Sequence, residues 1–356
     1  MCIIRPSFSL SIRVAVFGVA LGLLAPSPSR AQATGPDPSS LTIEQLLQVE
    51  LTSTASKFSQ EVTQAPASVS VVTAEQIRVH GYRTLADILG SVQGLYTTYD
   101  RNYSYVGVRG FARPGDYNTR VLLLVDGHRL NEPVYDMAPI GTDFPIDVSL
   151  IDRVEVIRGP GSSLYGTSAF FAVINVLTKN GSSAPGTRAD VSLGSLQTQR
   201  AVVSVGQVFE NGNEMLVAAS GYQSDGDTRL YFPEFDVPGR SSGLALDADS
   251  DRSAGFLGSA SIGRLRISGA FVDRTKQIPT ASFATVFGDG REQTVDRRAY
   301  FDAAYTGQFG GQWSGVARAA STIPATPEPI PSTTVPMASS CRTTDRMRVK
   351  RRVSSP

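Results

Sequence analysis

From Lys179 to about Ser321 apolar and polar residues alternate with a period of two. The apolar set is Ala189, Val191 and Leu193 in TRADVSLGS, Ala201, Val203 and Val205 in AVVSVGQ, and Leu265, Ile267 and Phe271 in RLRISGAF, where Arg264, Arg266 and Ser268 take the opposite face. NEMLVAASGYQS, SAGFLGSASI, RAYFDAAYTG and QWSGVARAA continue the series. About seven strands are therefore predicted, each with one apolar and one wet face. A long polar insertion, Ser224 to Asp251, separates the third from the fourth. Alternating strands joined by short turns and long loops are the pattern of an antiparallel transmembrane β-barrel, although no single strand carries a strong signal.

Before Lys179 the pattern is mixed. Ser68 to Val72 reads as a strand, and Thr73 followed by Gln76 is a capping box that opens a helix stopped by Gly81. Thr84 and Asp87 repeat the signal ahead of Leu85, Ile88, Leu89 and Val92, one apolar face ending at Gly94. YVGVRGF follows, then VLLLVDGHRL, in which Val121 to Val125 is an apolar strand and Asp126-Gly127 a hairpin turn. IDRVEVIRG and FAVINVLTK supply two more strands. Residues 41–180 thus predict a small α+β domain, and the stretch from Arg153 to Lys179 joins it to the alternating strands.

Composition favours strands and turns: 33 glycines and only 18% charged residues suit a sheet or barrel better than a helical enzyme. The overall charge of +1 hides three unopposed arginines in residues 1–30 and a net +4 in residues 322–356, so the body between them is −6. A body of that sign offers no electrostatic footprint for nucleic acid. Arg5 and Arg13, the apolar run Val14 to Leu24, and Ala31-Gln32-Ala33 after prolines make a secretory signal peptide over residues 1–33. Leu41 to Val49 is spaced as a short helix. The last 35 residues, with six prolines and a basic cluster from Arg346 to Arg352, predict a disordered tail whose abrupt composition is that of a shifted reading frame. Cys2 and Cys341 lie in these two terminal segments, so no disulfide framework is expected.

The ordered set SVSVVTAEQI, TLADILGSVQGL, VGVRGF, VLLLVDGHRLNEPVYD and IDRVEVIRGPGSSLYGTSAFFAVINVLTK resembles the N-terminal part of a TonB-dependent outer-membrane receptor, over residues 41–321. The resemblance implies a plug at 60–180 and a partial barrel at 181–321, after a periplasmic segment at 34–59. It implies uptake of a scarce nutrient such as a ferric siderophore, cobalamin or another metal complex, with TonB and its inner-membrane energising partners and outer-membrane lipid as partners. No catalytic residue, cofactor or resident metal is implied. The energising box would be Val49, Glu50, Leu51, Thr52 and Ser53, which adds a strand to TonB. Arg109, Arg153, Glu155 and Arg158 would be plug charges facing the barrel wall. Ligand would meet plug apices carrying Tyr99, Arg101, Tyr103, Arg113, Tyr117 and Tyr135.

Two other readings compete. GSSLYGTS, Gly161 to Ser168, has the glycine spacing of a nucleotide-binding phosphate loop, but Thr167 stands where the lysine that reaches the phosphates is required. A non-transporting fragment is the second, because about seven strands cannot close around a plug of this size. His80 and His128 lack metal-ligand spacing and read as solvated turn residues, and Asp247, Asp249 and Asp251 read as solvated loop charge.

Overall fold

The computed structural model describes residues 51–52, 60–61, 68–112, 115–239, 241–282, 285–309 and 313–323. The chain divides into two units, Met1–Val49 and Glu50–Pro356, and every described residue falls in the second. The signal peptide, the first predicted helix and the tail beyond Ile323 lie outside the described residues.

The α+β domain is built on a five-stranded sheet ordered β3-β8-β9-β6-β7, where β3 is Ser68–Thr73, β6 Val121–Val125, β7 His128–Arg129, β8 Ile151–Arg158 and β9 Ala172–Thr178. Only β6 and β9 pair in parallel. Both are covered on two faces, which is why they read as apolar runs without alternation. Helices α1 (Ala74–His80) and α2 (Leu85–Gly90) begin on the predicted capping boxes, with both reciprocal bonds formed at Thr73/Gln76 and at Thr84/Asp87. Gly81 ends α1 in the left-handed conformation (φ 67°), which costs a glycine nothing. The Asp126-Gly127 turn has φ of 48° and 77°, the left-handed pair that a type I′ hairpin requires.

The seven alternating strands form one antiparallel sheet in the order β10-β11-β12-β15-β16-β17-β18. They are Gly186–Leu193, Gln199–Val208, Glu214–Ser224, Asp251–Ile262, Leu265–Gln277, Gln293–Phe309 and Trp313–Ile323. Among the described residues β10 and β18 do not pair with each other, so the sheet is open. Its period-two pattern is inside-out. Val191, Val203, Val205, Phe256, Phe271 and Phe301 are exposed on the outer face, whereas Arg274 and Lys276 on the inner face are each 1% accessible. One apolar cluster runs from the small domain into the sheet, adding Val202, Leu216, Ala218, Leu257 and Ala270 to Leu85, Ile88 and Ile174.

Two elements escaped the sequence reading. The stretch that carries Tyr99, Arg101 and Tyr103 is an antiparallel hairpin of β4 (Leu95–Tyr99) and β5 (Ser104–Val108). The polar insertion contains another, β13 (Arg229–Val237) with β14 (Ser241–Leu246), and the Phe287 ring from the 278–292 connection stacks on Phe235 at 4.4 Å.

Candidate functional site

The small domain docks on the inner face of the sheet through charged groups. At the tip of the β4–β5 hairpin, Asp100 accepts hydrogen bonds from the Asn102 and Tyr103 amides, which shapes a tight turn. That turn points its neighbours at three strands. Arg274 of β16 donates to the Asn102 carbonyl (2.8 Å), to Asp251 of β15 and to Asp296 of β17, and its guanidinium lies 5.8 Å from the Tyr103 ring. The Tyr103 hydroxyl donates to Asp296, and Thr294 donates to the Asn102 side chain. Arg101 pairs with Asp227 and Asp249 at the root of the β13–β14 hairpin, and Asp249 also accepts from Lys276 (2.6 Å). A buried guanidinium needs this number of acceptors, because desolvation costs several kcal/mol per ion when pairing is incomplete.

A second contact is the Asp126-Gly127-His128 turn. Arg318 of β18 donates to the Asp126 and Gly127 carbonyls and to Asp302 of β17, while Arg266 of β16 pairs with the Asp126 carboxylate at 3.1 Å. His128 is 6% accessible and stacks on Tyr300 with ring centroids 5.0 Å apart. Its expected place in solvent is therefore corrected: the turn that exposes a residue in an isolated hairpin here presses it against the sheet. Asp249 and Asp251 are corrected likewise, since both are buried ion-pair members rather than solvated loop charge. Further contacts are Asp147 with Arg200, Thr142 with Asp251, and Asp143 with Arg298 at 3.6 Å. Burial pushes the Asp143 carboxyl up from the ordinary carboxylate range against the pull of Arg298 and Arg274.

The charges expected to face the wall have their hydrogen bonds inside the small domain. Arg153 pairs with Asp152 and Glu155, Arg158 donates to the Gln93 carbonyl and to Ser70, and Arg109 reaches the Arg158 carbonyl. The groups that do reach the sheet were missed. A parity signal could have found them: Arg266, Arg274 and Lys276 share one face of β16, and Asp296, Arg298 and Asp302 one face of β17. Charges of like parity on a strand whose other face is apolar belong on the inside.

Of the apical candidates, Arg101 and Tyr103 are engaged with the sheet, Tyr117 packs against Tyr103 and Tyr105, and Tyr99 and Tyr135 are 50% and 69% accessible. Arg113 lies outside the described residues, as do Val49, Glu50 and Ser53 of the candidate energising box. Leu51–Thr52 form a short strand, β1, paired antiparallel with Gln60–Glu61, β2. Thr97, Tyr99, Arg101, Arg200, Tyr222 and Lys276 border a cleft of about 1260 Å3 between the domain and strands of the sheet. The loop once weighed as a phosphate cradle carries only the four-residue helix Ser162–Tyr165, α3, and Thr167 accepts a hydrogen bond from Arg129.

Comparison with known proteins agrees with this arrangement. A family model described as the TonB-dependent receptor plug domain matches residues 61–173. The vitamin B12 transporter BtuB of Vibrio vulnificus is 33% identical over 201 residues, 55% of this chain and 30% of that protein. The iron-regulated outer membrane virulence protein of Vibrio cholerae is 35% identical over 130 residues, 35% of this chain and 19% of that protein. Among solved structures, the ferripyoverdine receptor of the Pseudomonas aeruginosa outer membrane superposes with a TM-score of 0.54 at 16% identity, covering 75% of this chain and 35% of that one. The ferric enterobactin receptor PfeA gives 0.54 at 18%, covering 73% and 41%. The chain thus spans about a third or less of the length of these curated relatives. Residues 61–173 thus match the TonB-dependent receptor plug domain, and this segment packs against the inner face of a seven-stranded antiparallel sheet whose outer face is apolar.

Proposed function

We propose that this chain acts in an outer-membrane receptor for energised uptake of a ferric siderophore, cobalamin or related metal complex, with the plug as its gate. The observation that carries the reading is the polarity of the sheet, apolar on the outer face and charged on the face that holds the plug. Such a wall is stable with lipid outside, since a bilayer satisfies the apolar face and the strands satisfy one another's backbone groups. Residues 1–33 direct export, and 34–59 lie on the periplasmic side. TonB and its inner-membrane partners act on the segment 49–53, of which Leu51–Thr52 have strand pairing. On the ligand side Tyr99 and Tyr135 offer exposed aromatic area, and Arg113 and Tyr117 lie between them in sequence. Arg153, Glu155 and Arg158 brace the plug from within, and Arg109 reaches the Arg158 carbonyl.

The test is expression in a host deprived of its own receptors, with membrane fractionation and uptake of labelled cobalamin and ferric siderophores. Recovery in the outer membrane with uptake that disappears when residues 49–53 are removed is the expected result; a soluble chain would overturn the membrane reading. The open sheet edges at β10 and β18 favour a second reading, a wall segment that docks its plug but conducts nothing. It predicts membrane recovery without uptake.

A further inference from the structure

The Asp126-Gly127-His128 turn is the plug's contact with three consecutive strands, and an imidazole lies at its centre. The His128 Nε2 is 3.0 Å from the Thr322 hydroxyl of β18 and the Nδ1 is 3.5 Å from the Asp302 carboxylate of β17. The ring is stacked on Tyr300, inclined by 20°. Around it stand the charged groups of every packed element: Arg266 on β16, Asp302 on β17, Arg318 on β18, and Asp126 in the turn itself. Two of these are acids and two are guanidiniums, and they are already committed to one another. Arg318 donates to Asp302 at 2.6 Å, Arg266 pairs with Asp126, and Asp126 also accepts from the Thr178 hydroxyl. A neutral imidazole fits this site. It can donate from one nitrogen toward Asp302 and accept at the other from Thr322, with no charge to desolvate.

We propose that His128 makes the docking of this plug turn onto strands β16–β18 proton-sensitive, the neutral ring holding the turn and the imidazolium releasing it. A proton added to the buried ring would place a third cation beside Arg318, and Asp302 already has a partner. Burial, with Arg318, lowers the His128 value below its ordinary 6.5 against the opposing pull of Asp302. The docked turn then binds fewer protons than the released one. Docking is fully favourable above the free imidazole value and weakens as the pH falls through it, by up to about tenfold between pH 7.5 and 5.5. The inference rests on the docking geometry and does not depend on transport.

The experiment is amide hydrogen exchange on the full chain folded in detergent micelles at pH 7.5 and 5.5, corrected for the intrinsic pH dependence of exchange. Opening of residues 126–130 should increase several-fold in acid, up to the tenfold limit, while the paired strands β6, β8 and β9 stay protected. In His128→Asn, which is neutral throughout, the difference between the two pH values should vanish. Equal opening at both pH values, or an unchanged acid response in the variant, overturns the proposal. Because the chain has only two histidines, the wild type alone supplies a second readout. With His80→Gln used for assignment, the His128 ring resonance should titrate below a free histidine peptide; titration at or above that reference overturns the proposal even if His128→Asn does not fold.

Discussion

Arg274 has one side chain and four acceptor contacts, to both oxygens of Asp251, to Asp296 and to the Asn102 carbonyl, and it is 1% accessible. Replacing it with methionine keeps much of the volume, leaves buried Asp251 without its guanidinium, and leaves Asp296 with only Arg298 at 3.7 Å. Arg274→Met should therefore cost roughly 3–5 kcal/mol, read as a shift of the urea unfolding midpoint of the micelle-folded chain. Adding Asp296→Asn should recover part of that loss, because one stranded charge disappears. A purely local packing role would show no such recovery. The identity of these residues was printed in the sequence, and their shared parity on β16 and β17 set them on one face without saying which way that face turns. Their partners were not legible: Asn102 and Arg274 are 172 positions apart, and only the docked hairpin brings them together. The same holds for Arg153 and Arg158, whose hallmark stretch identified the plug while their hydrogen bonds turned inward to Glu155, Ser70 and Gln93.

Elements were readable where a local signal decides them. Helix α1 is seven residues long, too short to persist alone, so its capping box and the burial of Ile77 define it. Thr73→Ala removes the oxygen that accepts from the Gln76 amide and should destabilise the plug by about 0.5–2 kcal/mol. Hydrogen exchange would show it as faster opening of residues 74–80, with the β6–β9 pair unaffected. The seven wall strands were equally legible, since alternation over eight or more residues has no competing helical reading. Strand β4 was not, because Tyr96-Thr97-Thr98-Tyr99 shows no apolar alternation; it is held by pairing with β5 and by Leu95, buried in the core beside α2. Hairpin β13–β14 was hidden for a related reason: its packing partner, Phe287, belongs to a different connection.

For the molecule as a whole, the outer face of the sheet is the surface on which the membrane reading stands. Phe256 and Phe271 are register partners on neighbouring strands and both are exposed. Phe271→Arg should destabilise the chain in lipid vesicles by roughly 2–4 kcal/mol if it lies near the bilayer midplane. In a wall meant for water the same change would be nearly neutral, so folding into vesicles compared with wild type decides between them. The sequence by itself determined the element types, the α+β plug ahead of seven alternating strands, and the face of each strand that is apolar, because period and capping act over a few residues. Only the tertiary structure decided which face turns inward onto the plug, that His128, Asp249 and Asp251 are buried, and that Arg101, Asp126 and Asp147 pair with charges of the later strands and their connections. Those outcomes depend on which charges come within a few ångströms of each other after docking, and a desolvated ion pair has no signature in either of its two local sequences.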